Sequence, residues 1–168
     1  MKNYFECKEN GQIMVEALIA ITIATVGLLG IFTLVSRSLS LNRVVADQYI
    51  ASNLAAEGVE LVKNLIDYNV RNGLPFNNGS CLSEGNHNID YTDLIGSSCA
   101  YDNNRFLRFD GLTRFYGYDA GADTPYKRTI IISWPQPDEI MAQSVVAWTT
   151  RGGGEFEVKL EDHFFNWR

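Results

Sequence analysis

Glu16 is the one ionisable side chain in a long apolar stretch near the N-terminus. The stretch runs from Ile13 to Val35, and a helix crosses a bilayer with about 20 mostly apolar residues. A charged side chain at the bilayer centre costs about 2.5–3.5 kcal/mol on insertion scales, and acids in such segments are usually functional. A carboxylate there favours pairing with a cation, because an unpaired charge is expensive in low dielectric. The sequence therefore predicts a membrane-spanning helix that carries one functional acid.

The residues just before this stretch add a distinctive spacing. Gly11 ends a short hydrophilic leader, residues 1–11, and Glu16 follows five positions later. This combination resembles the cleavage and methylation signature of type IV prepilins and pseudopilins. The resemblance implies that a prepilin peptidase cuts between Gly11 and Gln12, that Gln12 is the N-methylated mature terminus, and that Glu16 supports subunit assembly. The family usually has Phe or Met after the cut, where this chain has Gln12.

The same resemblance implies partners and a location. The expected partners are other pilin subunits, the prepilin peptidase, an inner-membrane assembly platform and the membrane itself. The chain would be a single-pass inner-membrane protein before assembly, and part of a cell-surface pilus or a periplasmic pseudopilus afterwards. Three alternatives to an ordinary pilus subunit stay open: a minor pseudopilin of a type II secretion system, a DNA-uptake pilus subunit, and a membrane-anchored binding domain that never polymerises.

The charge of the chain limits what the rest of it binds. The 168 residues carry a formal net charge of −6. Loss of the leader would leave that value unchanged, because its two lysines balance its two glutamates. A domain that binds nucleic acid generally needs a clustered basic face. We therefore expect no general nucleic-acid binding.

One long helix is predicted over residues 12–71, with its transmembrane segment at 13–35. Beyond that segment apolar residues recur at helical intervals, as at Leu54, Leu61 and Leu65, with charged residues between them. An apolar stripe opposite a polar face indicates a helix that lies on a protein core. The dipeptide Asn72-Gly73 then predicts the C-terminal end of the helix.

Gly27 and Gly30 interrupt the transmembrane segment. Glycine costs a helix interior about 1 kcal/mol relative to alanine, so both positions are predicted to soften the helix. Many pilins have a proline at the position of Thr33 for this purpose. Small residues also allow membrane helices to pack closely, and the two roles are compatible.

Residues 72–104 are predicted to form an irregular connecting loop, because Asn, Gly and Ser dominate it. The loop contains Cys81 and Cys99, the only cysteines outside the leader. Both would face an oxidising compartment, where cysteines form disulfides. A metal site with His87 or His163 is the alternative, but no ligand set has the usual spacing. We therefore expect a Cys81–Cys99 disulfide, and no metal or other cofactor.

Residues 105–168 are predicted to form an antiparallel sheet. The dipeptide Asp110-Gly111 is a strong signal for a two-residue hairpin turn, and residues 126–134 read as a strand that ends at Pro135. The expected fold class is thus α+β, with the long helix packed under a small antiparallel sheet. This is the pilin-like architecture that the resemblance implies.

The last predicted strand has a period of two. Phe156, Val158 and Leu160 alternate with charged residues, so one face should pack on the helix and the other should meet water. The end of the chain also resembles the C-terminal hairpin of minor pilins and of I-type minor pseudopilins.

No catalytic constellation is evident in the sequence. The two histidines lie in unrelated contexts, and neither a Gly-x-Ser-x-Gly nor a His-Glu-x-x-His motif occurs. We therefore expect that the protein is not an enzyme. Asp119 and Asp123 form an acidic loop pair that could hold Ca²⁺, although acidic residues in a turn are more often hydrophilic turn formers.

Overall fold

The computed structural model describes residues 6–93, 99–150 and 153–166, with side chains from residue 11 onward. Residues 1–5 of the predicted leader, 94–98 of the predicted loop, and 151–152 and 167–168 of the predicted sheet lie outside these ranges. The chain divides into two compact units, Met1–Val45 and Ala46–Arg168. The predicted α+β fold is confirmed, because one long apolar helix packs against antiparallel sheets.

The helix α1 comprises Glu6–Arg71. It begins earlier than residue 12, because residues 6–10 of the predicted leader are already helical. It ends where Asn72-Gly73 predicted, with Gly73 in the left-handed region at φ 68°. The Leu74 N–H donates to the Asn69 carbonyl at 2.9 Å, and the Gly73 N–H donates to the Val70 carbonyl at 3.2 Å. These two bonds form a Schellman motif, which satisfies the last carbonyls of a helix.

In the unit Met1–Val45 the described residues, from Glu6 onward, are helical, and from Gly11 onward they form no buried core. Every side chain from Gly11 to Arg43 is exposed, and the large apolar ones between Ile13 and Val35 are 52–71% exposed. This part of α1 is long and apolar enough to cross a membrane. Water is a poor solvent for such a surface, since apolar area costs about 25 cal/mol per Å² to expose.

The unit Ala46–Arg168 is called the head below. Its main sheet has four antiparallel strands in the order β1-β5-β6-β7. Their bounds are Gly85–His87 for β1, Tyr126–Gln136 for β5, Glu139–Thr149 for β6 and Glu155–Phe165 for β7. The predicted irregular loop, residues 72–104, also contains two short elements, β1 and a 3-10 helix at Ser80–Leu82. Three residues of β1 pair with Ile130–Ile132 of β5, which supplies partners for part of that strand's outer edge.

A second sheet has the strand order β3-β2-β4. The strands are short: Arg108–Phe109 for β2, Tyr116–Gly117 for β3 and Ala122–Asp123 for β4. The predicted two-residue turn at Asp110-Gly111 is wrong, since residues 110–115 all lie in the loop between β2 and β3. The Asp110 carboxylate accepts the Leu112 N–H at 2.9 Å, and this side-chain bond to the backbone opens a wider turn in place of a tight hairpin.

Two core clusters follow one another along α1. The first joins Ala51, Leu54 and Ala55 of the helix to the start of β5 and the end of β6; its other members are Leu107, Tyr118, Tyr126, Val146 and Trp148. The second joins Leu61, Val62, Leu65 and Ile66 to the rest of the sheet and to the disulfide; its other members are Cys81, Leu82, Ile89, Cys99, Ile130, Ile132, Ile140 and Ala142. The head is therefore built on one face of the last six turns of the helix.

The predicted packing of the last strand holds only in part. Phe156, Val158 and Leu160 pair with the inward positions of β6, so they do share the core face. Val158 is half-buried, but Phe156 remains 40% exposed and Leu160 42% exposed. The reason is that β7 is the edge strand of the sheet, beyond the width that a single helix covers.

Candidate functional site: the N-terminal helix face and the head

The predicted processing and assembly residues share one side of α1. Gln12 and Glu16 are one helical turn apart, and residues at this spacing are neighbours on a helix surface. With Gly11, Ile19 and Ile23 they line one open surface of the helix. Glu16 is exposed, and it has no hydrogen bond or ion pair with any described residue. A carboxylate without a partner on an apolar helix is available to a group from outside the chain.

The threonine hydroxyl groups of the apolar stretch, residues 13–35, are satisfied within the helix. Thr22 donates to the Ile19 carbonyl at 2.8 Å, Thr25 to the Thr22 carbonyl at 2.9 Å, and Thr33 to the Gly30 carbonyl at 2.8 Å. A lipid environment requires such internal bonds, because no water is present to replace them. This surface is therefore compatible with lipid in its hydrogen bonding as well as in its composition.

Gly27 and Gly30 face open space in the single chain. A Cβ atom added at either position would meet nothing within 4 Å. Close packing at these glycines would thus need a second chain, while softening needs none. Thr33 adds a physical cause for softening at Gly30, since threonine hydroxyls that bond back to the preceding turn tend to bend a helix. Both predicted roles remain predictions.

The predicted disulfide is confirmed. Cys81 and Cys99 are bonded, with their Cα atoms 5.1 Å apart, and each side chain is buried. The bridge belongs to the second core cluster, so it fastens the segment after α1 to the sheet. The residues that the structure describes contain no group of three side chains that could hold a metal ion.

The two histidines that were considered as metal ligands have other partners. The His87 ring lies 2.7 Å from the Ser83 carbonyl and 3.2 Å from the Cys99 carbonyl. The His163 ring lies 2.6 Å from a Glu139 carboxylate oxygen and 3.4 Å from one of Glu161. The Glu139 hydrogen bond is the main cause that raises the pKa of His163, and the Glu161 bond adds to it.

The acidic pair that was considered for Ca²⁺ is held by arginines. Asp119 pairs with Arg105 at 2.9 Å, and Asp123 pairs with Arg108 at 2.8 Å. The two carboxylates thus meet guanidinium groups instead of forming a common acidic site. The calcium interpretation is therefore not supported, and these pairs brace the small sheet.

Arg128 is the central polar residue of the head, and it was not among the residues predicted from the sequence. Its side chain is 0% exposed. It donates to the Leu54 carbonyl at 3.2 Å, to the Ile89 carbonyl at 2.9 Å and to the Glu57 carboxylate at 3.1 Å. One side chain of β5 thus ties the helix to the segment after β1. The signal was present, because Arg128 has the same parity in β5 as the buried Ile130.

Helix and sheet approach closely beside Arg128. A Cβ atom at Gly58 of α1 would overlap the Ser144 hydroxyl of β6 and would lie 3.1 Å from Arg128 Cδ. Nearby, the Tyr118 hydroxyl donates to the Arg128 carbonyl at 3.0 Å and the Tyr126 hydroxyl to the Asp47 carboxylate at 3.2 Å. Burial raises the pKa of both phenols, and at Tyr126 the Asp47 charge raises it further. Both therefore remain neutral donors across the physiological range.

The fold and this set of residues define a class of protein. It is a chain with one membrane-compatible N-terminal helix whose C-terminal part is built into a disulfide-bonded α+β head. Neither a protein-family model, nor a curated protein, nor a solved structure matches this chain. The function is accordingly argued from the residues themselves.

Proposed function

We propose that this protein is a structural subunit of a type IV pilus or a related filament. A prepilin peptidase would release Gln12 as the new N-terminus, and the transmembrane segment would hold the subunit in the inner membrane. An assembly platform would then move it into a filament, with the helices inside and the heads outside. The observation that carries this proposal is Glu16, an acid that has no partner among the described residues and follows Gly11 by five positions in an otherwise apolar stretch, residues 13–35.

The exposure of α1 supports assembly through this helix. From Gly11 to Arg43 it has no buried side, so it offers apolar surface to several neighbours at once. Lipid covers that surface before assembly, and sister helices can cover it afterwards. A helix that served only as an anchor would need neither the acid nor the glycine before it.

The chemistry of Glu16 also fits assembly. A free α-amino group has an unperturbed pKa of about 8 and is mostly protonated at neutral pH. The amine of an incoming Gln12 can therefore pair with Glu16 of a neighbour, where an unpaired charge would be costly in low dielectric. Processing does not require that pair, so cleavage and assembly are separable steps.

The decisive experiment reads the mature N-terminus by mass spectrometry from sheared surface filaments. We expect a chain that begins at Gln12. Gly11→Val should block processing, because a branched side chain obstructs the approach of the peptidase to the backbone. A Gly11→Val protein that migrates as the shortened form would contradict the proposal, and so would an uncut chain that stays in the membrane fraction.

Substitutions of Glu16 separate assembly from processing. Glu16→Leu should insert into the membrane and be cut after Gly11, yet be absent from filaments. Glu16→Asp should give an intermediate yield, since its shorter side chain strains the contact. Glu16→Leu protein in sheared filaments at the wild-type level would remove the pairing step and favour an ordinary anchor.

A further inference from the structure

Leu112 stands at the tip of the loop between β2 and β3. Its side chain is 94% exposed, more than any other large apolar side chain among the described residues. The loop is held in shape by Asp110, whose carboxylate accepts the Leu112 N–H at 2.9 Å and the Thr113 hydroxyl at 2.9 Å. The Asp110 carbonyl accepts the Arg114 N–H at 2.8 Å, and Arg114 adopts a left-handed conformation with φ 62°. Leu112 is therefore an apolar knob on an ordered support.

A pocket of about 290 Å³ lies between the end of α1 and the end of β7. Most of its wall is apolar, and the apolar lining residues are Ile66, Val70, Phe76, Phe164 and Phe165. A dry cavity of about 150 Å³ already accepts benzene, so this pocket has room for a leucine side chain. Its polar lining residues are Lys63, Asp67, His163 and Asn166, of which Lys63 pairs with Glu60 and His163 with Glu139.

The knob and the pocket belong to different parts of the head. The knob loop leads into Tyr116, which packs on the first core cluster. The pocket is lined by Ile66 of the second cluster and by Phe76 and Phe164, which pack against that cluster. Leu112 is not among the residues that line the pocket. When a knob on one copy enters a hole on a different side of the next copy, the contact is heterologous. Such a contact repeats from copy to copy as an open filament, unless the rotation between copies closes a ring.

The charges beside the two features are complementary. Arg114 follows the knob and has no ion pair among the described residues, whereas Arg105 and Arg108 are both paired. Asp67, which lines the pocket, is exposed and likewise has no ion pair within the described ranges. Opposite charges at a contact fix its register and suppress wrong partners.

We propose that Leu112 of one copy inserts into the pocket at Ile66, Val70 and Phe164 of a second copy, with Arg114 of the first against Asp67 of the second. The contact deepens the proposed function and rests on it, because it names how neighbouring heads meet in the filament. It adds specificity between neighbouring heads to an assembly whose helix surface over residues 13–35 is apolar apart from Glu16 and three threonines.

The test is disulfide crosslinking of the full-length protein in a Cys7→Ser background. Leu112→Cys combined with Val70→Cys should give a ladder of crosslinked multimers on a non-reducing gel, both in sheared filaments and in purified protein in detergent. Each single cysteine variant should give an at least tenfold lower yield of crosslinked multimers. Retention of the native Cys81–Cys99 disulfide, checked by mass spectrometry, shows that the variants are folded.

Charge reversal provides the matched control. Arg114→Asp should lower the crosslinking yield at least tenfold, and Arg114→Asp with Asp67→Arg should restore it to within about twofold. Lys159→Asp, which reverses a paired, exposed charge on β7 outside the knob loop and the pocket lining, should leave the yield unchanged.

Three outcomes would overturn the proposed contact. They are a Leu112→Cys single variant that dimerises as well as the double variant, a double reversal that does not restore the yield, and crosslinks only to a different protein. Failure of the proposed function reads differently, as an uncut N-terminus and no filaments. Filaments whose subunits begin at Gln12 but give no crosslinked ladder would contradict the proposed contact and leave the proposed function standing.

Discussion

Two stretches of α1 have the same secondary structure and opposite surroundings. Gly27 faces open space, whereas a side chain at Gly58 would overlap the sheet. Between Gly11 and Arg43 the helix has no buried side, and from Ala51 to Ile66 one face of it forms the core of the head. The difference shows that apolar residues on one helix can have two roles. Those of the first stretch have no packing partner within the described chain, whereas those of the second stretch pack on the sheet of the same chain.

Removal of the buried Arg128 side chain should give the largest difference in stability between a substitution in the head and one in the exposed stretch. Arg128→Ala leaves a cavity and removes three hydrogen bonds in the head, so we expect the free energy of unfolding to fall by about 4 kcal/mol. Chemical denaturation of the full-length protein in detergent, followed by near-UV circular dichroism, measures this. Arg37→Ala, on the exposed part of α1, is the matched control and should change the value by less than about 0.5 kcal/mol. Equal losses for the two variants would contradict the division.

The glycines give the most direct comparison. Gly58→Val should destabilise the head by about 3 kcal/mol, because overpacking forces the helix away from Ser144 and Arg128. Gly27→Val should leave the unfolding midpoint unchanged, since its side chain meets open space. Gly58→Ala with Ser144→Ala should recover part of the loss that Gly58→Ala causes alone. If Gly58→Val unfolds at the wild-type midpoint, the close approach is wrong.

The disulfide should matter only in the head. Cys81→Ser with Cys99→Ser should cost about 2–3 kcal/mol, as expected for a bridged loop of this size. Far-UV circular dichroism should show that the helical content of the N-terminal apolar stretch is retained in the same variant. Free-thiol labelling of both cysteines in the wild-type protein under non-reducing conditions would show that the bridge is absent from the mature molecule.

The smallest expected effect is a pH dependence of the head. The pKa of His163 is raised from its ordinary value of 6.5, first by the Glu139 hydrogen bond. Protonated His163 therefore stabilises the folded head fully below about pH 6.5, and this stabilisation is lost as the pH rises through the raised pKa of the folded state. The thermal midpoint of the wild type minus that of His163→Gln should be larger at pH 6 than at pH 8.5. The apolar stretch contains no histidine, so it should not contribute to this pH dependence. A difference that does not change with pH would show that the His163–Glu139 pair does not stabilise the head.

Periodicity and stop signals predicted the elements whose causes are local. The end of α1 at Arg71 follows from Gly73, and the strand predicted over residues 126–134 lies within β5. The turn after β2 was missed because the Asp110 side chain competes with the tight hairpin. The strand β5 was predicted to end at Pro135 but reaches Gln136 through a shift of register, and at such an irregularity a proline is tolerated in a strand.

Features whose partners are distant in the sequence could not be predicted from local patterns. β1 is three residues long and exists because it pairs with β5, so its own residues carry little signal. Arg128 is satisfied by α1 and by the segment after β1, which only the tertiary fold brings together. Glu16 was found from sequence because its signal, one acid in an apolar run, is complete within a few residues. Its role remains a prediction that the processing and assembly experiments test.

The placement of the covering sheet in the sequence has a consequence for synthesis. The apolar face of α1 is complete at Ile66, but β5 starts only at Tyr126. At about 5–20 residues per second, translation takes about 3–12 s to cover that distance. During this interval Cys81 and Cys99 are already made, so they can bond before the three long strands exist. The nascent chain meanwhile exposes an apolar stripe directly after its apolar stretch, and this stripe has no covering sheet until the last strand is made.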